Sequence, residues 1–196
     1  MNYPLKDRKE FALWAHASVC FQNCADACAS VIESKLSPRD RLYKPLTVYA
    51  VIEYAKPFKR SRGLGTVPEI VIPKNHMRCH ELVISVRDKI AAHIDTAKTP
   101  EHDLYPHCVR IEIGRRGVAC IVEEPKVHPD TVSELKILAE ALAATAHYQA
   151  SKHTKKMYEV VKRSGRGKGE YLIDVESPEN GLRRLGEHEK ARLFWD

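Results

Sequence analysis

The sequence predicts an all-α chain, a helical bundle carrying one short β-hairpin, and three observations predict it. Apolar residues recur at steps of three and four through several long stretches, which is the period of an amphipathic helix. Prolines and glycines fall between those stretches, where they punctuate helices rather than interrupt them. One stretch, CVRIEIG followed by GVACIVEE, alternates apolar and polar residues instead, which is the period of a strand. The 196 residues are enough to bury a sizeable core. The expected organisation is one helical domain over residues 1–162, with the hairpin at about 108–123, then a basic glycine-rich linker and tail over 163–196.

The first helix is expected from Tyr3 to about Leu36, where Phe11, Trp14, Ala17, Phe21, Cys24, Cys28, Val31 and Ile32 keep the helical step. Ser37-Pro38 is expected to stop it, since proline disfavours helical backbone in the residue before it. Pro45 suits the first turn of a second helix, PLTVYAVIEYA, ending near Pro57. A loop, KPFKRSRGLGTVP, clusters Lys56, Lys59, Arg60 and Arg62 ahead of Gly63 and Gly65, which supply freedom in backbone angles. Pro73 is expected to open a third helix that runs to Ala97. Thr131 and Glu134 form a T-x-x-E pattern expected to cap a fourth, whose stripe from Leu135 through Leu142, Ala150 and Met157 lasts to about Lys162. Beyond it the sequence offers few apolar anchors, so the tail is expected to be mobile or docked on a partner chain.

Lysines and arginines number 32 against 26 acidic residues, a formal charge of +6, which favours acidic partners such as nucleic acid. No apolar run approaches the ~20 residues of a membrane helix, so no membrane partner is expected. MNYPLKDRKEF turns charged where a signal peptide needs its apolar core, so the expected location is cytoplasmic. There Cys20, Cys24, Cys28, Cys79, Cys108 and Cys120 are expected to be reduced thiols.

His16, Cys20, Cys24 and Cys28 recur every four residues, yet a helix of that length spans about 18 Å, whereas zinc ligands lie within ~2.3 Å of one ion. The three thiols, on the stripe that carries Phe21 and Val31, are expected to be core-packing residues. His76, Cys79 and His80, with Pro106-His107-Cys108, form a denser group but show no paired C-x-x-C spacing, so no metal and no cofactor is expected. The glycines of GLG and GRGKG lack the strand and helix context of a phosphate loop and read as linkers.

The third helix carries the stretch VRDKIAAHID, Val86 to Asp95. At about 100° per residue, Leu82, His93, Val86, Cys79, Ile90, Val83 and Ile94 fall in order over one arc, with Arg87 and His80 at its edge. Within one chain, this places His93 in the apolar stripe and Arg87 about 120° away. One reading is structural, a buried histidine and an edge arginine. The other is that the arc meets a second copy across a two-fold axis, so that two arginines and two histidines converge.

On these residues the sequence resembles the HEPN superfamily, small helical domains many of which are ribonucleases in toxin–antitoxin, abortive-infection and other defence systems. The family signature is an arginine, usually followed by a polar residue, then a histidine after four to six positions. Arg87, Asp88 and His93 fit it, and the longer form RDKxxAHxD is matched by Arg87, Asp88, Lys89, Ala92, His93 and Asp95. The preceding PLTVYAVIEYAKPFKRSRG resembles the helix before the motif in the same group, so the resemblance covers roughly Pro45 to Ala97.

The resemblance implies an HEPN-like bundle, a homodimer, and a metal-independent endoribonuclease or toxin-like effector that uses the ribose 2′-hydroxyl as nucleophile at a composite dimer site. It implies RNA as substrate and an antitoxin protein as a further partner. Histidine, with an ordinary pKa of ~6.5, suits proton transfer near neutral pH, and His93 is the candidate. A guanidinium offers a charged planar fork to phosphoryl oxygens, and Arg87 is the candidate. Asp88 is a supporting residue, while Lys56, Lys59, Arg60 and Arg62 are candidate phosphate contacts. The alternative class is a non-catalytic HEPN interaction module that binds nucleotide, RNA or a protein partner.

Overall fold

The computed structural model describes residues 3–59, 63–92, 108–114, 117–123, 127–163, 169–176 and 182–185. Among them the chain is mainly helical, with α1 (Leu5–Glu33), α2 (Tyr43–Ala55), α3 (Met77–Ala92) and α4 (Pro129–Arg163). β1 (Cys108–Gly114) and β2 (Gly117–Glu123) pair antiparallel, from Cys108 opposite Glu123 to Gly114 opposite Gly117. The register sets Val109, Ile111 and Ile113 opposite Val122, Cys120 and Val118, as an alternating hairpin requires. No helix among the described residues is long and apolar enough to cross a membrane.

α1 ends before Ser37-Pro38, and the backbone itself stops it. Lys35 takes a left-handed conformation, φ 51°. The Leu36 N–H then donates to the Val31 carbonyl and the Lys35 N–H to the Ile32 carbonyl, both at 3.0 Å. This is a Schellman closure with lysine where glycine is usual. Beyond it, Asp40 accepts from the Ser37 N–H at 2.6 Å and from the Ser37 hydroxyl at 2.8 Å. Those bonds, the backbone one first, hold the Asp40 carboxyl below its ordinary value.

α2 has Pro45 in its first turn, as the sequence predicts, and passes at Ala55 into a single 3-10 turn, Lys56–Phe58. α3 begins later than Pro73, after a 3-10 turn over Lys74–His76. Its expected continuation to Ala97 lies outside the described residues. α4 begins earlier than the T-x-x-E pattern implies. Pro129 occupies the first turn, the Val132 N–H donates to the His128 carbonyl at 3.0 Å, and the Asp130 N–H donates to His128 Nδ1 at 3.3 Å. His128 is therefore the cap, and Thr131 lies inside the helix. Proline at the first position loses no bond there, because that N–H has no helical acceptor.

The chain divides into two compact units, one of Met1–Gln22, Lys56–Val71 and Glu140–Asp196, the other of Asn23–Ala55 and Ile72–Ala139. The first unit buries Trp14, Ala17, Phe21, Leu142 and Ala146. Phe21 and Phe58 rings meet there at 5.6 Å between centroids. In the same unit, β3 (Tyr171–Ile173) and β4 (Leu182–Arg184) form a short antiparallel ribbon. Tyr171 and Ile173 pack on Tyr3 and Met157, and Arg8, itself fully buried, donates through Nη1 to the Asp174 carbonyl. This part of the tail is thus tied to its own chain, because alternate residues of YLID supply the anchors that the wider composition hides. The second unit buries Val31, Tyr43, Val51, Val83, Leu135 and Leu138, and α2 packs on α3 within it. The Tyr43 hydroxyl donates to the Val127 carbonyl at 2.6 Å, fixing the segment that leads into α4.

Candidate functional site

The second unit contains the described part of the arginine–histidine motif. Arg87 and Asp88 lie near the C-terminal end of α3, both half-buried. Arg87 Nη1 donates to Asp88 Oδ1 at 3.0 Å, with the two side chains 34% and 46% exposed. A pair this exposed contributes about 0–1 kcal/mol to stability, so its effect is mainly to orient the guanidinium. His93 lies outside the described residues.

The buried side of α3 is turned from where hydropathy alone sets it. Cys79, His80 and Val83 are buried, Leu82 and Val86 are half-buried, and Arg78, Glu81 and Ser85 are exposed. The buried arc therefore includes His80, read from the sequence as an edge residue, and is centred closer to the Arg87 direction. The cause is a partner on α2. The Tyr54 hydroxyl and His80 Nδ1 are hydrogen-bonded at 2.9 Å, and the rings meet edge-on at 5.8 Å. A histidine so satisfied is buried at little cost, whereas an unsatisfied one is not.

Around this pair the second unit is rich in buried titratable groups. A hydrogen bond with Cys28 and burial raise the Cys24 thiol above its ordinary value. Burial, then the nearby Glu134 carboxylate, pushes Cys79 up to about 12. Burial also raises Tyr54. Raised in this way, Cys24, Cys79 and Tyr54 stay neutral near pH 7. Cys24 and Cys28 are buried, as expected of core thiols, and so is Cys20 in the first unit. Glu53, almost wholly buried, accepts from Asn23 Nδ2 at 3.5 Å.

His76, Cys79 and His80 do not form a ligand set. His76 Nδ1 lies 3.3 Å from Glu134 Oε1 while His80 turns to Tyr54, and His107 lies outside the described residues. Among the described residues no group of three histidine, cysteine or acidic side chains is arranged to hold a metal ion. Glu134 thus faces His76 instead of closing the expected capping box.

The candidate phosphate-contacting lysines belong to the first unit. Lys56 is exposed and Lys59 half-buried, whereas Arg60 and Arg62 lie outside the described residues. The loop is shaped as its glycines suggest. Gly63 and Gly65 have φ of 92° and 87°, angles that favour glycine, and the Val67 N–H closes back on the Pro57 carbonyl at 2.8 Å.

No protein-family model, curated protein or solved structure matches the chain.

The candidate site therefore rests on the chain's own residues. Sequence reading missed a further polar cluster in the first unit. The Tyr3 hydroxyl and the buried His153 Nδ1 lie 3.1 Å apart, with Glu10 Oε1 3.8 Å from His153 Nε2. Burial, then the negative charges of Asp7 and Glu10, pushes Tyr3 up to about 12. One signal was available, since His153 falls on the same stripe of α4 as Ala146, Ala150 and Met157.

Proposed function

We propose that this chain is an HEPN-like, metal-independent endoribonuclease of the toxin or defence type, in which Arg87 and His93 of two copies share one composite cleft. The observation that carries the reading is the setting of Arg87. It is the arginine of the RDKxxAHxD motif, it stands half-exposed near the end of a helix that buries Cys79, His80 and Val83, and Asp88, the neighbour within the motif, orients it. An arginine that served only as packing would gain nothing from that exposure, while one that meets phosphate needs it.

The chemistry follows from the groups. Attack of the ribose 2′-oxygen on phosphorus forms a 2′,3′-cyclic phosphate and breaks the bond to the 5′-oxygen. A proton must leave the first oxygen and one must reach the second, and the two His93 imidazoles of a dimer can divide these tasks as base and acid. Arg87 stabilises charge growing on the phosphoryl oxygens through paired N–H donors. RNA is selected over DNA because DNA lacks the nucleophile. Lys56, Lys59, Arg60 and Arg62 add contacts to the phosphate backbone, and an antitoxin protein is the expected regulator.

The test is an RNA oligonucleotide incubated with the protein in EDTA. Cleavage leaving a 2′,3′-cyclic phosphate, and no cleavage where the scissile nucleotide is 2′-deoxy, is the expected result. RNA bound but never cut would favour the non-catalytic HEPN module.

A further inference from the structure

The second half of α4, in the first unit, has one face that the core does not use. His153, Met157, Ala146 and Ala150 are buried along one side. On a helix of about 100° per residue, Tyr148, Lys152, Lys155, Lys156, Tyr158, Lys162 and Arg163 fall in an arc of about 160° on the other side, and all of them are exposed. The arc carries five cations against one carboxylate, Glu159. It also carries two large exposed aromatic side chains, Tyr148 at 59% and Tyr158 at 62%. Lys152 Nζ sits 4.3 Å from the centre of the Tyr148 ring and donates to Gln149 Oε1 at 3.3 Å, so ring and ammonium stand side by side at the surface.

From this arrangement we infer that the α4 face between Tyr148 and Arg163 binds single-stranded nucleic acid. A solvated helix face needs charge for solubility, but it does not need tyrosines exposed between the lysines. Exposing an aromatic ring to water forfeits the gain of burying it. Cations that track a phosphate backbone, interleaved with rings on which unpaired bases stack, are what sequence-tolerant single-strand binding requires. The face runs about 22 Å along the helix axis, enough to lie beside several nucleotides. The occupant is identified by charge complementarity and by stacking together; charge alone would fit an anionic lipid surface equally well.

Binding of labelled single-stranded RNA and DNA 20-mers to the full chain, by fluorescence anisotropy over a range of salt, tests the inference. A K152Q/K155Q/K162Q variant is expected to bind more weakly, with the slope of log affinity against log salt reduced by about 2, from ~0.7 per lost phosphate contact. A Y148A/Y158A variant is expected to lose at least about fivefold in affinity at unchanged slope, from the stacking contribution of each base. All five positions are exposed, so thermal melting of both variants should match the unaltered chain and separate lost binding from lost folding. Wild-type affinity and slope in the glutamine variant would overturn the inference. So would binding to phosphatidylserine-containing vesicles without binding to either oligonucleotide. Single-stranded DNA lacks the 2′-hydroxyl that cleavage needs, so its binding to the α4 face tests the inference even if neither Arg87 nor His93 proves to cut RNA.

Discussion

The hydrogen bond between Tyr54 and His80 lets a ring that hydropathy assigns to an edge enter the core. Tyr54→Phe keeps the ring and removes the hydroxyl, so the buried Tyr54–His80 hydrogen bond is lost at a cost of about 1–3 kcal/mol. A urea titration should show that loss in the midpoint at unchanged slope. Cys79 supplies a pH dependence. Its ordinary value is 9.0 and the folded chain raises it to about 12, so between those values the unfolded chain has released a proton that the folded chain retains. Its contribution to stability is full below pH 9 and is lost as pH rises toward 12. Urea midpoints over this range should fall, and should fall less in Cys79→Ala, which no longer carries the titrating thiol. None of these pairings is legible in the sequence, since each joins residues distant along the chain. The buried cysteines of α1 were legible, because small thiols repeat on its apolar stripe.

Helix positions followed from periodicity, while helix ends followed from backbone chemistry that periodicity does not carry. Proline does mark a boundary at α2 and α4, but α1 stops at a left-handed lysine and α4 starts from a histidine cap. Lysine in that conformation carries a strain of roughly 1–2 kcal/mol that glycine avoids, offset in part by glycine's greater freedom when unfolded. Lys35→Gly is therefore expected to raise stability by up to about 1 kcal/mol, read as a higher melting temperature, whereas Lys35→Val should lower it. The β1–β2 hairpin was legible because alternation is specific to strands. The β3–β4 ribbon was not, since three residues per strand are too few to show a period.

In the molecule as a whole, the mainly helical character was legible from the apolar period and from where prolines and glycines fall, while the two compact units were not, since α1 and α4 each supply residues to both. Of the candidate site, Arg87 and Asp88 were legible as a motif, and their mutual contact follows from adjacency. The turn of α3 that buries His80 was not. The proposed composite cleft requires two chains, so light scattering should give twice the 22.3 kDa chain mass at working concentration. A monomer would remove the shared cleft while leaving the α4 face untouched. The most direct measurement is the rate of RNA cleavage in EDTA for the unaltered chain, Arg87→Ala and His93→Ala, with folding of each checked by circular dichroism. The account predicts cleavage by the unaltered chain and a loss of about a hundredfold or more in each folded variant, the range for removal of a general acid–base or an electrostatic donor. Equal cleavage by all three would contradict it.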